Sequence, residues 1–536
     1  MPIRMTDDRN EQQPSRRSSG GGGGGMSGGG GGMGSLLPML IGLLMKKPKL
    51  MLIVLGIGAV LYFTGGLKGC LGEGGGDVSQ LLKLATGGNM DPAVYDKAEV
   101  FEPLADNVNA PLPERHSLEQ YAPKRQNQGQ QGSCVAWASA YAARTIVQAA
   151  ATKQDPNSTV FSPAFMYNQI KIENSDCQGS YIQRAMDQMK GGGALPYSQF
   201  GYTDESCAKL PTEEQRQQAS QFRIKGSQRL SKSDDPRSMV DMVAMKQQLA
   251  QGSPIVIGMM VGGSFMQDMM GQDKWLPTQS DYAMRGFGGH AMCVIGYDDY
   301  KFQNEYEKPM GGFQIMNSWG PEWGKNGLAW VSYDDFAHFT KEAYAVYPQG
   351  EGVDVKPSTF DIRFGLPIVD DAGKPTGEYI ALKHMGGRTF RTEKPIAKGT
   401  RFKVEMTNNT ECYAYCFGQE VDGSTYVLFP NTPKHSPYCG ITGTRQFPRD
   451  QSMTADDVGT TDVMTILVYN QAIDFKKVDE ALKTSSASGM DAKLSAVLGT
   501  ELAEASGLNY TQGKTFGATG TASKAAMAVV LEIEKR

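Results

Sequence analysis

The stretch Gln128-Gly129-Gln130-Gln131-Gly132-Ser133-Cys134 runs into an Ala-rich segment, Ala136 to Gln148, in which Trp137, Tyr141, Ile146 and Val147 fall near helical spacing. That pattern predicts a helix with a thiol at its N-terminal end, where the macrodipole and free N–H groups favour an anion. A thiol with a pKa of about 8.5 is weakly ionised at neutral pH, so a nucleophile there needs a base as well. Two later segments supply partners of the right kind: His290 in Gly288-Gly289-His290-Ala291-Met292, and Asn317 in Asn317-Ser318-Trp319-Gly320-Pro321-Glu322-Trp323-Gly324. Taken singly each has a bland reading, a core thiol or a turn histidine. The order Cys, His, Asn with these flanks is far more specific.

Together these segments resemble the papain-like cysteine peptidases. The resemblance implies an α+β, two-lobed fold, with a helical left lobe, a β-barrel-like right lobe and the site in the cleft between them. It implies Cys134 as nucleophile, His290 as the base resting with it as thiolate and imidazolium, and Asn317 orienting the imidazole. Trp319 would shield the His–Asn bond, and Gln128 would supply an oxyanion-hole amide beside the Cys134 backbone N–H. Gly179, Ser180 and Gly289 fall where the family binds the substrate backbone. No cofactor or metal is called for. Departures are Gln131 and Val135 in place of the usual Cys and Trp, and Ser180 in place of a second Gly, which raises the question of close backbone approach there. The methionines Met259, Met260, Met266, Met269, Met270 and Met284 read first as gap-filling core and second as an adaptable specificity pocket.

With 536 residues the chain exceeds one core. Residues 1–35 are polar and then Gly- and Ser-rich, the composition of a disordered arm. Residues 36–67 are a membrane segment. Leu50 to Leu67 carries no charge and is long enough for one transmembrane helix, whereas Leu36 to Met45 is too short. Basic residues concentrate before the span, predicting a single-pass protein with a cytoplasmic N-terminus and a periplasmic or extracellular catalytic domain. A cleaved signal peptide, or lipidation at Cys70, are the alternatives. Residues 68–111 read as a stalk, with a short helix at Val78 to Ala85 and nothing that resembles the family's prosegment. Residues 112–350 are the peptidase domain and 351–536 a β-rich, β-sandwich-like domain with a helical insertion. The latter resembles an uncharacterised bacterial module with a core here reading Asp422-Gly423-Ser424-Thr425-Tyr426-Val427-Leu428-Phe429-Pro430-Asn431.

A net charge of -4 without a long basic run in the soluble region argues against nucleic acid as a partner. The expected partners are a peptide or protein substrate and the cytoplasmic membrane. In an exported chain cysteines can pair. With Cys134 needed as a free thiol and Cys293 in an apolar strand, Cys177 and Cys207 are left as a disulfide, while Cys412, Cys416 and Cys439 form a separate group. The competing reading of the whole is a non-catalytic papain-fold scaffold that binds peptides at the cell envelope.

Overall fold

A computed structural model describes residues 3–8, 86–105, 111–173, 176–304, 306–347, 359–512, 515–521 and 524–536. The candidate span, the arm beyond residue 8, Cys70 and the helix expected at Val78 to Ala85 lie outside these. Among the described residues no helix is long and apolar enough to cross a membrane.

The left lobe is helical. Its central helix starts at Cys134–Ala136, winds as a π-helix through Trp137–Arg144 and continues as α-helix through Thr145–Thr152. Ala at 136, 138, 140, 142 and 143 lets it sit with almost every side chain buried. Pro163–Ile170 and Ile182–Gly191 pack beside it; the first is capped by Ser162, whose Oγ accepts from the Phe165 N–H. Cys177 and Cys207 are joined by a disulfide closing a 30-residue separation, a loop that chain-entropy arguments value at about 3.6 kcal/mol.

The right lobe is an eight-stranded sheet. Its order is Gly226–Arg229, Thr340–Tyr347, Ile255–Val261, Gly288–Gln303, Pro309–Met316, Leu328–Ser332, Lys274–Trp275, with Arg115–Ser117 on the outer part of Gly288–Gln303. The order has two ends, so the expected barrel-like lobe is an open sheet in its pairing. Near-continuous apolar runs such as Ile255–Val261 fit strands covered on both faces. Cys293 is buried here in the register Val256 to Cys293.

The C-terminal region is a sandwich with extra layers. A seven-stranded sheet around Thr461–Tyr469 and Ala526–Glu534 faces a five-stranded sheet around Thr359–Gly365. Phe360, Ile362 and Phe364 from one sheet and Ile466, Val529 and Leu531 from the other fill one core. The helical insertion, Phe475–Thr484 and Met490–Leu498, buries Leu482, Met490 and Leu494 on the outer face of the larger sheet. Met490–Leu498 ends at Gly499, which takes a positive φ of 52°.

Two sequence expectations need correction. The supposed stalk is folded from residue 86 to residue 105. The arm is ordered at its start: Ile3–Asp7 pairs antiparallel with Gln451–Ala455, and the Asp8 carboxylate bridges Arg401 at 2.7 Å and Lys403 at 2.8 Å. Ile-Arg-Met-Thr-Asp puts Ile3 and Met5 on the core side, which a five-residue strand beside a Gly-rich tract does not advertise. One crossing of a bilayer between residues 8 and 86 is incompatible with this pairing inside a single molecule.

Thr6 and Thr454 bring their hydroxyls to 3.0 Å. A Thr6→Cys/Thr454→Cys chain should therefore form an intramolecular disulfide under mild oxidation, seen as a mobility shift on non-reducing gels. No cross-link would leave the N-terminal strand off this sheet and the single-crossing topology open.

Candidate active site

Cys134 opens the central helix, with Ser133 before it in a non-helical conformation. His290 lies near the start of the long strand Gly288–Gln303, opposite Met259 of the neighbouring strand. Asn317 follows the strand Pro309–Met316. The fold brings all three to the seam between the lobes. The Ala291 N–H donates to the Cys134 Sγ at 3.4 Å, placing the residue after His290 against the thiol. The imidazole Nε2 and Asn317 Oδ1 are 2.7 Å apart, and Nδ1 has no hydrogen-bond partner among the described residues. With Nε2–H donating to Asn317, the Nδ1 lone pair is left as the base. The Trp319 indole stacks on the imidazole with ring centroids 4.4 Å apart and an angle of 24°, and Phe265 and Trp323 back it.

The Gln128 carboxamide is buried and fixed on both sides: its Oε1 accepts from Ser318 Oγ at 2.6 Å and its Nε2 donates to the Gln131 carbonyl at 2.9 Å. Ser133 N–H donates to that same carbonyl, so the amide sits one residue from the helix that carries the thiol. Ser318, not singled out in the sequence, is what orients it. Gln131 and Val135 are both buried.

The cleft is not open. Residues 86–90 cross it as a strap. Gly88–Asn89 pairs in parallel with Ser180–Tyr181, the Ser180 N–H donates to Gly87 O at 3.0 Å, and the Gly87 N–H donates to Gly289 O at 3.2 Å. Gly179 makes room for Asn89 and Gly87: a Cβ on it would lie 2.4 Å from Asn89 Nδ2. A Cβ on Gly88 would lie 2.9 Å from the His290 carbonyl carbon and 3.0 Å from the Ala291 nitrogen. The three residues that the resemblance implies for the substrate backbone, Gly179, Ser180 and Gly289, thus hold this chain's own backbone. Ser180 does not hinder the approach, because its hydroxyl turns away to the Ile170 carbonyl at 2.7 Å. The strap was missed in the sequence because Thr86-Gly87-Gly88-Asn89 carries no side-chain signal beyond that of a linker.

Under the strap Cys134 and His290 are both 0% exposed. Burial pushes the thiol up to about 12 and the imidazole down to about 4, against the weaker help of the Ala291 N–H and Asn317. Burial thus favours the neutral thiol and imidazole over the expected thiolate and imidazolium in the closed cleft. Beside the strap a cavity of about 520 Å³ is lined by Met90, Met239, Met260, Thr340 and Glu342. Of the methionines in question, Met259 and Met269 are core and Met266 and Met284 pack against it, Met270 is exposed, and only Met260 reaches this cavity. Among the described residues no cluster of His, Cys, Asp or Glu is gathered to hold a metal ion.

Comparison with known proteins matches residues 114–349 to the family model described as papain family cysteine protease, and residues 396–468 to a domain of unknown function. An uncharacterized peptidase C1-like protein of Acanthamoeba polyphaga mimivirus is 29% identical over 212 residues, covering 39% of this chain and 63% of that protein. Human cathepsin L2 is 25% identical over 178 residues, covering 33% of this chain and 47% of that protein. Among solved structures, xylellain, a cysteine protease from Xylella fastidiosa, shares 24% identity with a TM-score of 0.38, covering 50% of this chain and 96% of that one. The chain spans less than two thirds of the length of the curated relatives it matches. The resemblance read from the sequence is thus the one the family models find, for the papain-like domain and for the β-rich module.

With the thiol held near 12, the ultraviolet thiolate absorbance that disappears on Cys134→Ala should be absent from the unaltered chain between pH 6 and pH 9. Difference spectra against Cys134→Ala read it at equilibrium, with no reagent that has to enter the site. A difference band already present at pH 7 would show the thiolate–imidazolium pair beneath the strap.

Proposed function

We propose that this chain, whose residues 114–349 match the papain family cysteine protease model, is a latent cysteine peptidase that hydrolyses peptide bonds of proteins. The observation that carries the reading is the buried relay at the lobe seam, Cys134 against the amide of Ala291 and His290 locked to Asn317 beneath Trp319. Once the strap leaves, water re-enters and the desolvation that keeps both groups neutral is relieved. The Cys134 proton passes to His290 Nδ1, and the thiolate attacks the scissile carbonyl. The Gln128 carboxamide and the Cys134 N–H hold the oxyanion. His290 then gives the proton to the departing amine, leaving an acyl group on sulfur, and water activated by the same nitrogen releases the acid. Asn317 keeps the imidazole in the tautomer and plane for both transfers.

The scaffold reading keeps the lobes but needs no relay. A buried imidazole with one nitrogen unsatisfied is a cost that a binding module has no reason to retain. Attachment to a membrane through residues 36–67 remains part of the proposal, by a segment that enters and leaves the bilayer on one side rather than by a single crossing. The Cys177–Cys207 bridge supports an oxidising compartment for the peptidase domain. The N-terminal strand then shares that compartment rather than the cytoplasm.

In a chain freed of its strap by Gly88→Leu, Cys134→Ala should abolish hydrolysis of a fluorogenic peptide without lowering the melting temperature. His290→Ala should cost about 10⁴-fold or more in kcat/KM and Asn317→Ala about 10- to 10²-fold, since water recovers orientation but not proton transfer. Turnover surviving Cys134→Ala would exclude this site, and equal losses at His290 and Asn317 would give Asn317 another role.

A further inference from the structure

We propose that the C-terminal module is the clamp that keeps the strap in the cleft. The inference rests on the reading of residues 86–90 as a cover over a competent Cys134, and it assigns a task to a module for which the family match gives none.

The strap does not end at the cleft. After Gly88–Asn89 the chain makes one helical turn, Pro92–Tyr95, capped by Asp91, and buries Tyr95, whose hydroxyl donates to the Ala343 carbonyl at 3.3 Å. It then runs extended between the peptidase domain and the module, with hydrogen bonds to both. On the peptidase side the Arg229 N–H donates to Glu99 O at 2.8 Å, and the Phe101 N–H donates to Arg229 O at 3.0 Å. On the module side the Val100 N–H donates to Lys434 O at 2.7 Å, and the Ser436 N–H donates to Val100 O at 3.3 Å. Residues 99 and 101 point their amide groups one way and residue 100 the other, so this segment works as a strand shared by two domains.

Side chains from the same short loop close over it. His435 Nδ1 meets Glu102 Oε1 at 2.5 Å with both side chains buried, Ser436 Oγ donates to Glu99 Oε2 at 2.5 Å, and Lys434 Nζ lies 2.7 Å from Asp96 Oδ1. Further on, the Arg449 guanidinium donates to the Phe101 carbonyl at 3.1 Å and the Ala105 N–H donates to Thr444 O at 2.7 Å. The loop bearing Lys434, His435 and Ser436 comes directly after Phe429-Pro430-Asn431, the end of the core motif by which the module was noticed in the sequence.

A clamp needs a base that does not depend on what it holds. The module has one: Gln228 Nε2 donates to the Tyr438 carbonyl at 3.1 Å, the Tyr347 and Tyr438 rings meet edge to face at 5.0 Å, and Lys225 pairs with Glu411 at 2.6 Å. Those contacts fix the module to the strands Gly226–Arg229 and Thr340–Tyr347 with the strap left aside. Opening the cleft then requires residues 86–90 to lift while residues 99–105 are still held, or the loop at 434–436 to let go. Releasing the loop removes the buried His435 and Ser436 contacts and leaves the segment on Arg229, Tyr95, Arg449 and Thr444, a weaker hold from which residues 86–90 lift more often.

The test is the rate at which a papain-directed epoxide and iodoacetamide label Cys134 in the full chain, read by mass spectrometry. Iodoacetamide reports access whether or not the site is catalytic. Three variants are compared: Glu102→Gln/His435→Ala/Ser436→Ala at the loop, Gly88→Leu at the cleft, and Asp491→Ala, which breaks the Arg388–Asp491 pair within the module and serves as a destabilisation control. The loop variant should label about tenfold faster than the unaltered chain, approaching Gly88→Leu, while Asp491→Ala stays at the unaltered rate. If the triple variant fails to fold, Ser436→Ala alone removes only a hydroxyl and should give about a threefold rise, in keeping with one lost hydrogen bond. Unchanged labelling in the folded loop variants beside fast labelling in Gly88→Leu overturns the clamp and leaves the peptidase reading intact. Slow labelling in Gly88→Leu overturns the clamp by removing its object. Fast labelling in both with no peptide hydrolysed by either supports the clamp and overturns the peptidase.

Discussion

Everything in the peptidase domain turns on a backbone-to-backbone contact. Gly87 and Gly88 approach Gly289 and His290 on one side and Gly132, Gly179 and Ser180 on the other at distances that a Cβ would not permit: one on Gly289 would lie 2.0 Å from Gly88 O. Such closeness is what an extended peptide needs to be held by a cleft, and the same lack of side chains that suits a substrate backbone suits the strap. On the proposed reading, a cleft that takes any peptide backbone is open to the chain's own whenever a tether of the right length brings it there.

That contact sets the chemistry as well. Excluding water from the seam raises the thiol and lowers the imidazole, which favours the neutral form of both. The parts with fixed dipoles stay in place: Asn317 on Nε2, Trp319 over the ring, Ser318 on Gln128. Under the proposed function, latency costs no rearrangement of the relay. Lifting a short segment restores solvent to a site already assembled, consistent with preorganised catalysis.

How much of this was legible in the sequence follows from which groups do the work. Cys134, His290, Asn317, Gln128 and Trp319 could be found because they stand in the order of a known family's motifs, and Cys177 and Cys207 because Cys134 and Cys293 already had other readings. The strands at 412–419, 425–429 and 461–469 showed themselves through alternation and β-branched or aromatic runs. The strap could not be seen, since main-chain hydrogen bonds made by Gly87 and Ser180 leave no mark on residue type. Ile3–Asp7 was hidden for a related reason: five residues next to a Gly-rich tract look like arm, and only the edge offered by Gln451–Ala455 makes them a strand. The caution over Ser180 was resolved by a rotamer, which sequence does not encode.

The central claim is that Cys134 is a nucleophile kept from substrate by residues 86–90. Its most direct measurement is intact-protein and peptide mass spectrometry after brief exposure to an activated peptide ester, comparing the unaltered chain with Gly88→Leu. A single acyl group on Cys134 in Gly88→Leu, with little or none in the unaltered chain over the same time, is the expected result. Acylation of Cys134 at equal rates in both chains, or acylation elsewhere with Cys134 untouched, would contradict it.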